Sequence, residues 1–425
     1  MKSRVLRGVC LLAVCFCLCV AANFLAFFID TPDMRQNAWQ GCLMLGEQLG
    51  TPQTVGGFKS SQLDNFTSVL ILKTAAYTGE ESLLVKALGG LRVETAPQPG
   101  QTDWEAFCTY DHGTASATGA GVGYSRYWHG YTLALRLLLC VLDTANLQMT
   151  LYFAQTALMC FILFLMKSRG LARLIPGFFL AYFFIMPFSA SICLQFAPVS
   201  LLMLTACVLI LLADERIEKA VTLPAFFAML GMLTNYLDLL TFPLVAMGFP
   251  LVLLLALRMD RGDSGKALFV LTALCGCAWA LGYGGMWALK WLLVGLAFGW
   301  ESILSVFSQI GLRASSNAGT LSRFSVLMEN LNVILAKKSY LLLSGLCVLA
   351  TLAAPARALS RRGLRMDLRA LNLLLPAAAV CMWYIVMANH SHDHTYFTYR
   401  NAAVMVFAGF AFVSCLLSPK RGEGA

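Results

Sequence analysis

Residues 8–28 read GVCLLAVCFCLCVAANFLAFF, an unbroken apolar run that follows a start containing Lys2, Arg4 and Arg7. A helix of about 20 such residues crosses the roughly 30 Å hydrocarbon core of a bilayer. Signal peptides also combine a basic start with an apolar run, but no persuasive small-residue cleavage site precedes Asp30. The run is therefore predicted to be a retained first transmembrane helix.

Similar apolar runs recur along the whole chain of 425 residues, which is 59% hydrophobic and 12% charged and has a mean hydropathy of +0.71. This composition lies outside the range of soluble globular domains. The sequence therefore predicts an all-α integral membrane protein with about ten transmembrane helices. The predicted spans are 8–28, 149–166, 175–194, 198–213, 220–236, 240–257, 267–297, 339–354, 370–388 and 402–417.

Lys and Arg are concentrated in the start of the chain, the turns 167–174, 214–219 and 258–266, the segment 355–369 and the tail. These pieces hold 18 of 31 basic and 7 of 22 acidic residues, so they carry +11 while the remainder carries −2. Short loops rich in Lys and Arg stay on the cytoplasmic side. We expect a bacterial cytoplasmic (inner) membrane protein with both termini cytoplasmic. Its net charge of +9 needs no nucleic acid, because contact with anionic membrane lipid accounts for it.

In this topology residues 29–148 form a long outer loop with a helical pattern of its own. Thr31 followed by Pro32 is typical of a helix start, and an apolar stripe continues until Gly50. A second helix is predicted to begin near Asp64. We interpret the first of these as a helix lying on the membrane surface.

An aromatic run, YSRYWHGY at 124–131, comes later in the same loop. It precedes an apolar stretch bearing Arg136, which is predicted to be interfacial or re-entrant. A crossing at this point would move the basic turn 167–174 to the outer side, against its charge.

The chain thus divides into five pieces: the first transmembrane helix 1–28, the outer loop 29–148, a transmembrane bundle 149–297, an outer amphipathic segment 298–338, and C-terminal transmembrane helices 339–425 with an outer polar cluster at 389–400. The outer amphipathic segment is predicted to form two helices in the headgroup layer. Its basic residues suit a phosphate group, and they are Arg313, Arg323, Lys337 and Lys338.

All five histidines fall in segments assigned to the outer face. They are His112, His129, His390, His392 and His394. A multi-pass protein that gathers its titratable side chains on one face is predicted to do chemistry or bind a ligand there.

Two carboxylates are candidate catalytic bases. Asp64 precedes an apolar helix, where it is equally suited to be the N-cap. Asp33, in the run TPDMR at 31–35, has the same ambiguity, because a carboxylate in a first turn also stabilises the helix dipole.

Four further residues are candidates for substrate binding. Arg126 and His129 stand among three tyrosines and a tryptophan, although an aromatic belt with a snorkelling arginine has the same composition. Lys290 lies inside an apolar span, where a charge is costly and is taken as functional by default unless it snorkels to the outer surface. Asp238 ends the fifth span, in a position to pair with Lys290 or face the same cavity.

The densest polar cluster is NHSHDHTYFTYR at 389–400, from which His390, His394, Tyr399 and Arg400 are candidate substrate-binding residues. On a helix His390 and His394 share a face, which also allows a divalent metal. No Cys or Glu completes a recognised zinc spacing, so no metal ligand is assigned. Hydrogen bonding to a phosphate or sugar is the favoured interpretation.

These features together resemble a family of bacterial multi-pass membrane proteins, a resemblance that by itself names no activity. The matching residues are Asp64 before an apolar helix, the 124–131 run, GYGGMW at 282–287 with Lys290, Asn389-His390-Ser391, and Tyr399-Arg400. The layout is similar to the GT-C glycosyltransferase superfamily, in which a first helix, a long outer loop and many spans place the active site at the outer face. The run Pro32-Asp33-x-Arg35 also resembles the opening of the lipid-A aminoarabinose transferase type, although the Glu of that motif is missing here.

The resemblance implies an inverting transferase that moves a sugar from a polyprenyl-phosphate carrier to a cell-envelope glycan or lipid acceptor. Asp64, or Asp33, would deprotonate the acceptor hydroxyl. Basic residues and histidines would hold the departing phosphate as its charge grows. These are Arg126, Lys290, Arg400 and histidines of the 389–400 cluster.

Two other functions remain open at this point. A transporter or lipid flippase would use Lys290, Asp238 and the histidines as a relay, yet the spans show no paired halves with mid-depth polar residues. A non-catalytic assembly partner in envelope synthesis would tolerate alanine throughout the outer cluster.

Overall fold

The chain folds almost entirely into helices. A computed structural model describes residues 2–48, 50–93, 100, 102–109, 122–315, 322–361 and 364–419. The helices and strands up to residue 139 are α1 (Lys2–Ala26), α2 (Pro32–Gly46), α3 (Asn65–Ala76), α4 (Leu83–Gly89), β1 (Leu91–Arg92), α5 (Asp103–Cys108), β2 (Val122–Gly123) and α6 (Thr132–Leu139).

The remaining helices and strands are α7 (Thr144–Ser168), α8 (Ile175–Phe184), α9 (Pro187–Ile192), α10 (Ala197–Ala220), α11 (Leu223–Leu237), α12 (Leu244–Asp260), α13 (Gly265–Phe298), α14 (Glu301–Ala314), α15 (Arg323–Leu335), α16 (Lys338–Arg361), β3 (Leu364–Met366), α17 (Leu375–Val386), α18 (Ala388–Asp393), α19 (Thr395–Thr398), α20 (Ala402–Leu416) and β4 (Leu417–Pro419). Short 3-10 turns occur at Lys59–Ser61, Ala172–Leu174, Leu368–Leu374 and Tyr399–Asn401. The strands form two small antiparallel pairs, β1 with β2 and β3 with β4.

The first helices of the outer loop begin where their capping residues predict. Thr31 accepts a hydrogen bond from the Met34 amide at the start of α2, with Pro32 as its first residue. Asp64 is the N-cap of α3. The stretch bearing Arg136 forms α6, whose eight residues extend only about 12 Å and do not cross a bilayer.

Within the described residues, six helical stretches are long and apolar enough to cross a membrane: Ser3–Ala26, Thr144–Ser168, Ala197–Ala220, Gly265–Phe298, Leu368–Val386 and Thr395–Leu416. A seventh is counted if Arg323–Leu335 and Lys338–Ala353, bent by 83° to each other, form one span. These helices suggest a membrane protein. The predicted number of ten spans is not confirmed.

The other four predicted spans correspond to shorter or broken helices. The span 175–194 is divided between α8 and α9, because Met186 adopts a left-handed conformation (φ 56°) and Pro187 starts a new helix. The span 220–236 is the 15-residue α11. The span 240–257 is the 17-residue α12, and 339–354 belongs to α16 of the bent pair.

The helix α12 lies at the centre of the bundle. Every residue from Leu244 to Leu257 is buried, and α12 packs against α10, α11, α13, α17 and α20. A helix that is apolar on all faces is stable only inside such a shell. The largest hydrophobic cluster of the protein surrounds it.

The basic segments meet at one end of the bundle. The buried Asp214 carboxylate accepts hydrogen bonds from Arg169 at 3.0 Å and from Arg261 at 2.5 Å. Arg258 pairs with Glu218, and Arg4 of the first helix donates to the Glu218 carbonyl oxygen. The N-terminus and the turns 167–174, 214–219 and 258–266 therefore lie on the same side, as the charge pattern predicts.

Glycines allow α11 and α13 to pack with their backbones in contact. A Cβ atom at Gly231 would lie 2.1 Å from the carbonyl oxygen of Trp279, and one at Gly282 would lie 2.0 Å from that of Ala228. No side chain fits at either position. The contact fixes the middle of α11 beside the middle of α13.

We expect Gly282→Ala to destabilise the fold, because the added methyl group collides with backbone that cannot move independently. Overpacking of this kind costs about 1–3 kcal/mol. The unfolding temperature of the detergent-solubilised protein measures the effect. Gly284→Ala on the same helix is the matched control, since nothing lies within 4 Å of its added Cβ. Equal unfolding temperatures for the two variants would contradict the packing.

Candidate functional site

Asp64 lies buried at the N-terminus of α3, with 5% of its surface exposed. Its Oδ1 accepts a hydrogen bond from the Thr67 amide at 2.8 Å, and its Oδ2 accepts one from the Thr67 hydroxyl at 2.9 Å. The Tyr396 hydroxyl, from the far end of the chain, donates to the same Oδ2 at 3.1 Å. Asp64 is thus both a helix cap and the point where the outer loop meets the 389–400 cluster.

The protonation of Asp64 reflects two opposing effects. Burial raises the pKa of its carboxyl group, whereas the hydrogen bonds from Thr67 and Tyr396 and the nearby His394 ring act to lower it. Burial is the larger effect. A desolvated carboxylate is a stronger base than an exposed one, which suits proton abstraction.

Arg400 and Tyr399 hold the 389–400 cluster against the outer loop. The Arg400 guanidinium is fully buried and donates to three carbonyl oxygens, those of Ile185 at 2.8 Å, Tyr396 at 2.9 Å and Ser60 at 3.2 Å. The Tyr399 hydroxyl donates to the Ser60 carbonyl oxygen at 2.9 Å. These contacts use the polar groups of both residues within the protein, so the structure gives them an anchoring role.

His390 on α18 and His394, the C-cap of that helix, have ring centroids 4.8 Å apart. His390 Nε2 lies 2.8 Å from the Leu240 carbonyl oxygen, and burial lowers the pKa of this imidazole to about 3. Burial also lowers the pKa of His394, which lies within electrostatic range of both Asp64 and Arg313. Both rings are therefore neutral near pH 7 and are suited to hydrogen bonding.

Asp238 closes α11 as its C-cap, with 2% of its surface exposed. Its Oδ1 accepts hydrogen bonds from the Thr241 amide at 2.8 Å and the Thr241 hydroxyl at 2.5 Å. Its Oδ2 has no partner among the described residues. Burial raises the pKa of Asp238 to about 6, against the effect of the Thr241 hydrogen bonds.

Other buried polar groups also lack a described hydrogen-bond partner. The Tyr283 hydroxyl lies within electrostatic range of both Asp238 and Arg313. Within the described part of the chain this hydroxyl, the Asn235 amide and the Asn389 Oδ1 are buried without hydrogen-bond partners. Buried polar groups are nearly always paired, so unpaired ones are candidates for contact with a polar ligand.

Lys290 and His129 are both held by hydrogen bonds to other groups of the protein. The Lys290 ammonium is fully buried, donates to the Leu88 carbonyl oxygen at 2.8 Å and lies 5.1 Å from the Trp128 ring centroid. His129 Nδ1 lies 2.7 Å from the Tyr131 hydroxyl, and its Nε2 lies 2.9 Å from the Tyr124 carbonyl oxygen. Burial lowers the pKa of His129 to about 4. No ion pair joins Lys290 to Asp238 in the described ranges, so of the two predicted alternatives only the shared cavity stays a prediction.

Arg126 is linked through two stacked tyrosines to Arg313, which lies near His390 and His394. Its guanidinium lies 4.8 Å from the centroid of the Tyr124 ring, and Tyr124 stacks on Tyr127 at 5.2 Å. The Tyr127 hydroxyl accepts a hydrogen bond from Arg313 of α14. Arg313 in turn acts electrostatically on His390 and His394.

Two predicted residues, Asp33 and His392, stand apart from this arrangement. Asp33 is exposed in the first turn of α2. His392 points away from its neighbours and lies 2.6 Å from Glu329. His112 lies outside the described residues. In the described ranges no three His, Cys, Asp or Glu residues are arranged to hold a metal ion.

The sequence predicts no site role for Tyr396 or Tyr283, and it predicts Arg313 only as one of four basic residues of the outer amphipathic segment that suit a phosphate group. Tyr396 and Tyr283 belong to motifs that were noted, but their contacts join positions hundreds of residues apart. The sequence pattern that identifies Arg313 is its place in the last turn of an amphipathic helix.

An apolar cavity of about 360 Å³ lies between α6, α7, α10 and α11. Its lining includes Leu135, Leu151, Leu194, Leu201 and Leu237. Leu237 directly precedes Asp238 in the chain. Leu194 follows Cys193, whose Sγ lies 3.9 Å from the Asp64 carbonyl oxygen. The cavity thus lies beside the last residue of α11, and neither Asp64 nor Asp238 is among the described residues that line it.

No family model matches this chain, no curated protein is significantly similar to it, and no solved structure matches it.

Proposed function

We propose that the protein is a membrane glycosyltransferase of the GT-C type, which transfers a sugar from a polyprenyl-phosphate donor to a cell-envelope acceptor at the outer face. The observation that supports this most directly is the buried Asp64 carboxylate, which the Tyr396 hydroxyl contacts and which the His394 ring adjoins. Two chain segments far apart in sequence supply these groups. A site of this composition serves acid–base chemistry on a hydroxyl group.

In the proposed reaction Asp64 accepts the proton of the acceptor hydroxyl. The acceptor oxygen forms a bond to the anomeric carbon of the sugar, and the bond between that carbon and the phosphate oxygen breaks. Polyprenyl phosphate departs with the bonding electrons, and attack from the opposite face inverts the anomeric configuration. Hydrogen-bond donors aimed at the departing phosphate lower the barrier, because its charge grows in the transition state.

The apolar cavity supports a lipid-linked donor. It is lined by hydrocarbon side chains, opens between helices of the bundle, and adjoins the Asp238 end of α11. A polyprenyl chain matches such a lining, because burying apolar surface stabilises by about 25 cal/mol per Å². The unpaired polar atoms of Tyr283, Asn235 and Asn389 would face the sugar hydroxyls.

The predicted roles of Lys290 and Arg400 change within this proposal. Both side chains are fully buried and donate to backbone carbonyl oxygens, so within this proposal they stabilise the fold and the phosphate is assigned to other residues. Lys290 also has no contact with Asp238 that would serve a transmembrane relay, which weakens the transporter or flippase alternative. We retain the bacterial cytoplasmic membrane and cytoplasmic termini as part of the proposal. The helix-end ion pairs support a common side for these segments.

We expect Asp64→Asn to lower sugar transfer by about 10²–10⁴-fold, the usual contribution of a general base. Asparagine also caps helices, so the substitution removes the base and keeps the cap. The assay is transfer of radiolabelled sugar from a panel of polyprenyl-phosphate sugars by the purified protein. Asp143→Asn is the matched control, because Asp143 caps α7 with the same amide hydrogen bond, here from Asn146 at 2.7 Å.

Undiminished transfer by Asp64→Asn would remove Asp64 from the mechanism. Wild-type protein that neither binds nor uses any donor of the panel would reject the proposed function itself. Uptake or flipping in proteoliposomes that survives Asp64→Asn would favour the transporter.

We expect Tyr396→Phe to move the acidic limb of the pH–rate profile to higher pH. A base acts when deprotonated, so activity falls as the pH falls through the pKa of Asp64. The Tyr396 hydroxyl bond favours the carboxylate, and its loss raises this pKa further. The profile of kcat against pH measures the shift, with Tyr152→Phe on α7 as the control. A shift to lower pH, or none, would contradict the assignment.

A further inference from the structure

The described arginines differ in what neutralises them. Carboxylates pair with Arg35, Arg169, Arg173, Arg258, Arg261 and Arg369. Backbone carbonyl oxygens surround the buried Arg136 and Arg400. Arg126 and Arg313 belong to neither class, since their described contacts are with tyrosines and no carboxylate pairs with either in the described ranges.

Both of these arginines rest on the same pair of aromatic rings. The Arg126 guanidinium lies 4.8 Å from the Tyr124 centroid, and the Arg313 guanidinium lies 5.8 Å from the Tyr127 centroid. Tyr124 and Tyr127 stack at 5.2 Å. Two cations held on one aromatic platform repel each other, so an anion between them stabilises the arrangement.

No carboxylate forms an ion pair with Arg313 in the described ranges, although Asp64 and Asp238 lie within electrostatic range of rings on which Arg313 also acts. Among these rings are His390 and His394, and burial lowers the pKa of both, so they are neutral near pH 7. Neutral imidazoles hydrogen-bond to phosphate without adding charge. Guanidinium groups bind phosphate oxygens in a bidentate manner, which makes arginine the preferred residue for this ligand.

The helix that carries Arg313 has the character of a membrane-surface helix. On α14 the side chains of Trp300, Leu304 and Phe307 are exposed by 59%, 69% and 61%. Such a stripe inserts into the headgroup layer of a bilayer. Arg313, in the last turn, would then lie at the depth of lipid phosphates rather than in bulk water.

We propose that Arg313 and Arg126 together bind the phosphate of a lipid-linked ligand, with His390 and His394 as neutral hydrogen-bonding neighbours. This inference rests on the proposed function and deepens it, because it assigns the phosphate to residues on the outer amphipathic segment. Polyprenyl phosphate, the departing group of the proposed reaction, has the required chemistry.

The test is binding of polyprenyl phosphate to the purified full chain in nanodiscs of neutral lipid. Loss of one charge-assisted bidentate partner weakens binding by about 10- to 100-fold, which we expect for Arg313→Gln. Arg126→Gln should have a smaller effect, because Arg126 only stacks on a tyrosine ring whereas Arg313 is also oriented by its hydrogen bond to the Tyr127 hydroxyl. Arg313→Lys should recover part of the affinity, since it keeps the charge. Arg35→Gln is the control, because Arg35 is an outer-loop arginine already paired with Asp30 at 2.8 Å.

Several outcomes would overturn this assignment. Equal affinity of wild type, Arg313→Gln and Arg126→Gln for polyprenyl phosphate is one, provided the unfolding temperatures agree. Equal affinity of the wild type for uncharged polyprenol is another, since the chain alone would then bind. Competition by inorganic phosphate at similar concentrations would assign the site to free phosphate instead of lipid. Arginine-dependent binding without any sugar transfer would leave this inference standing and reject the proposed function.

Discussion

A charged side chain near hydrocarbon must be solvated by the protein itself, and this constraint governs the polar interior of the molecule. An unpaired charge there costs several kcal/mol. Arg136, Lys290 and Arg400 are each fully or almost fully buried, and each meets the requirement with backbone carbonyl oxygens. Carbonyl groups are freely available only where helices end or break, which is where these residues donate.

The same constraint distinguishes anchoring residues from residues left for a ligand. Arg136 joins the ends of α1 and α3 to α6, and Arg400 joins the C-terminal cluster to α8 and the loop before Asp64. The carbonyl oxygens that accept hydrogen bonds from these two arginines take the place of water molecules. Asp238, with one unpaired oxygen, and Arg313, with only a phenol partner among the described residues, lack this internal compensation. Incomplete pairing is what makes them candidates for binding.

Backbone contact through Gly231 and Gly282 determines where these incompletely paired groups meet. It sets α11 against α13 so closely that Asp238, at the end of one helix, lies within electrostatic range of Tyr283 on the other. In the loop after Asp238, Leu240 adopts a left-handed conformation (φ 64°), and its carbonyl oxygen contacts the His390 ring. The close packing of α11 and α13 at these glycines thus helps to bring together α11, α13 and the segment that carries His390.

The sequence by itself determined the helical membrane character, the caps at Thr31 and Asp64, the amphipathic helix bearing Arg313 and the grouping of basic turns at one end, because these depend on local periodicity and charge. It also identified Asp64, Asp238 and the 389–400 cluster as candidates. Its number of ten spans is not confirmed, since the broken helix at Met186 and the buried 17-residue α12 are shorter than the six helices that are long enough to cross a membrane in the described residues. Only the tertiary structure decided which charged side chains are paired by hydrogen bonds within the protein. Residue type alone could not separate Lys290 and Arg400 from Arg126 and Arg313, because their partners are carbonyl oxygens and rings brought close by the packing of remote helices.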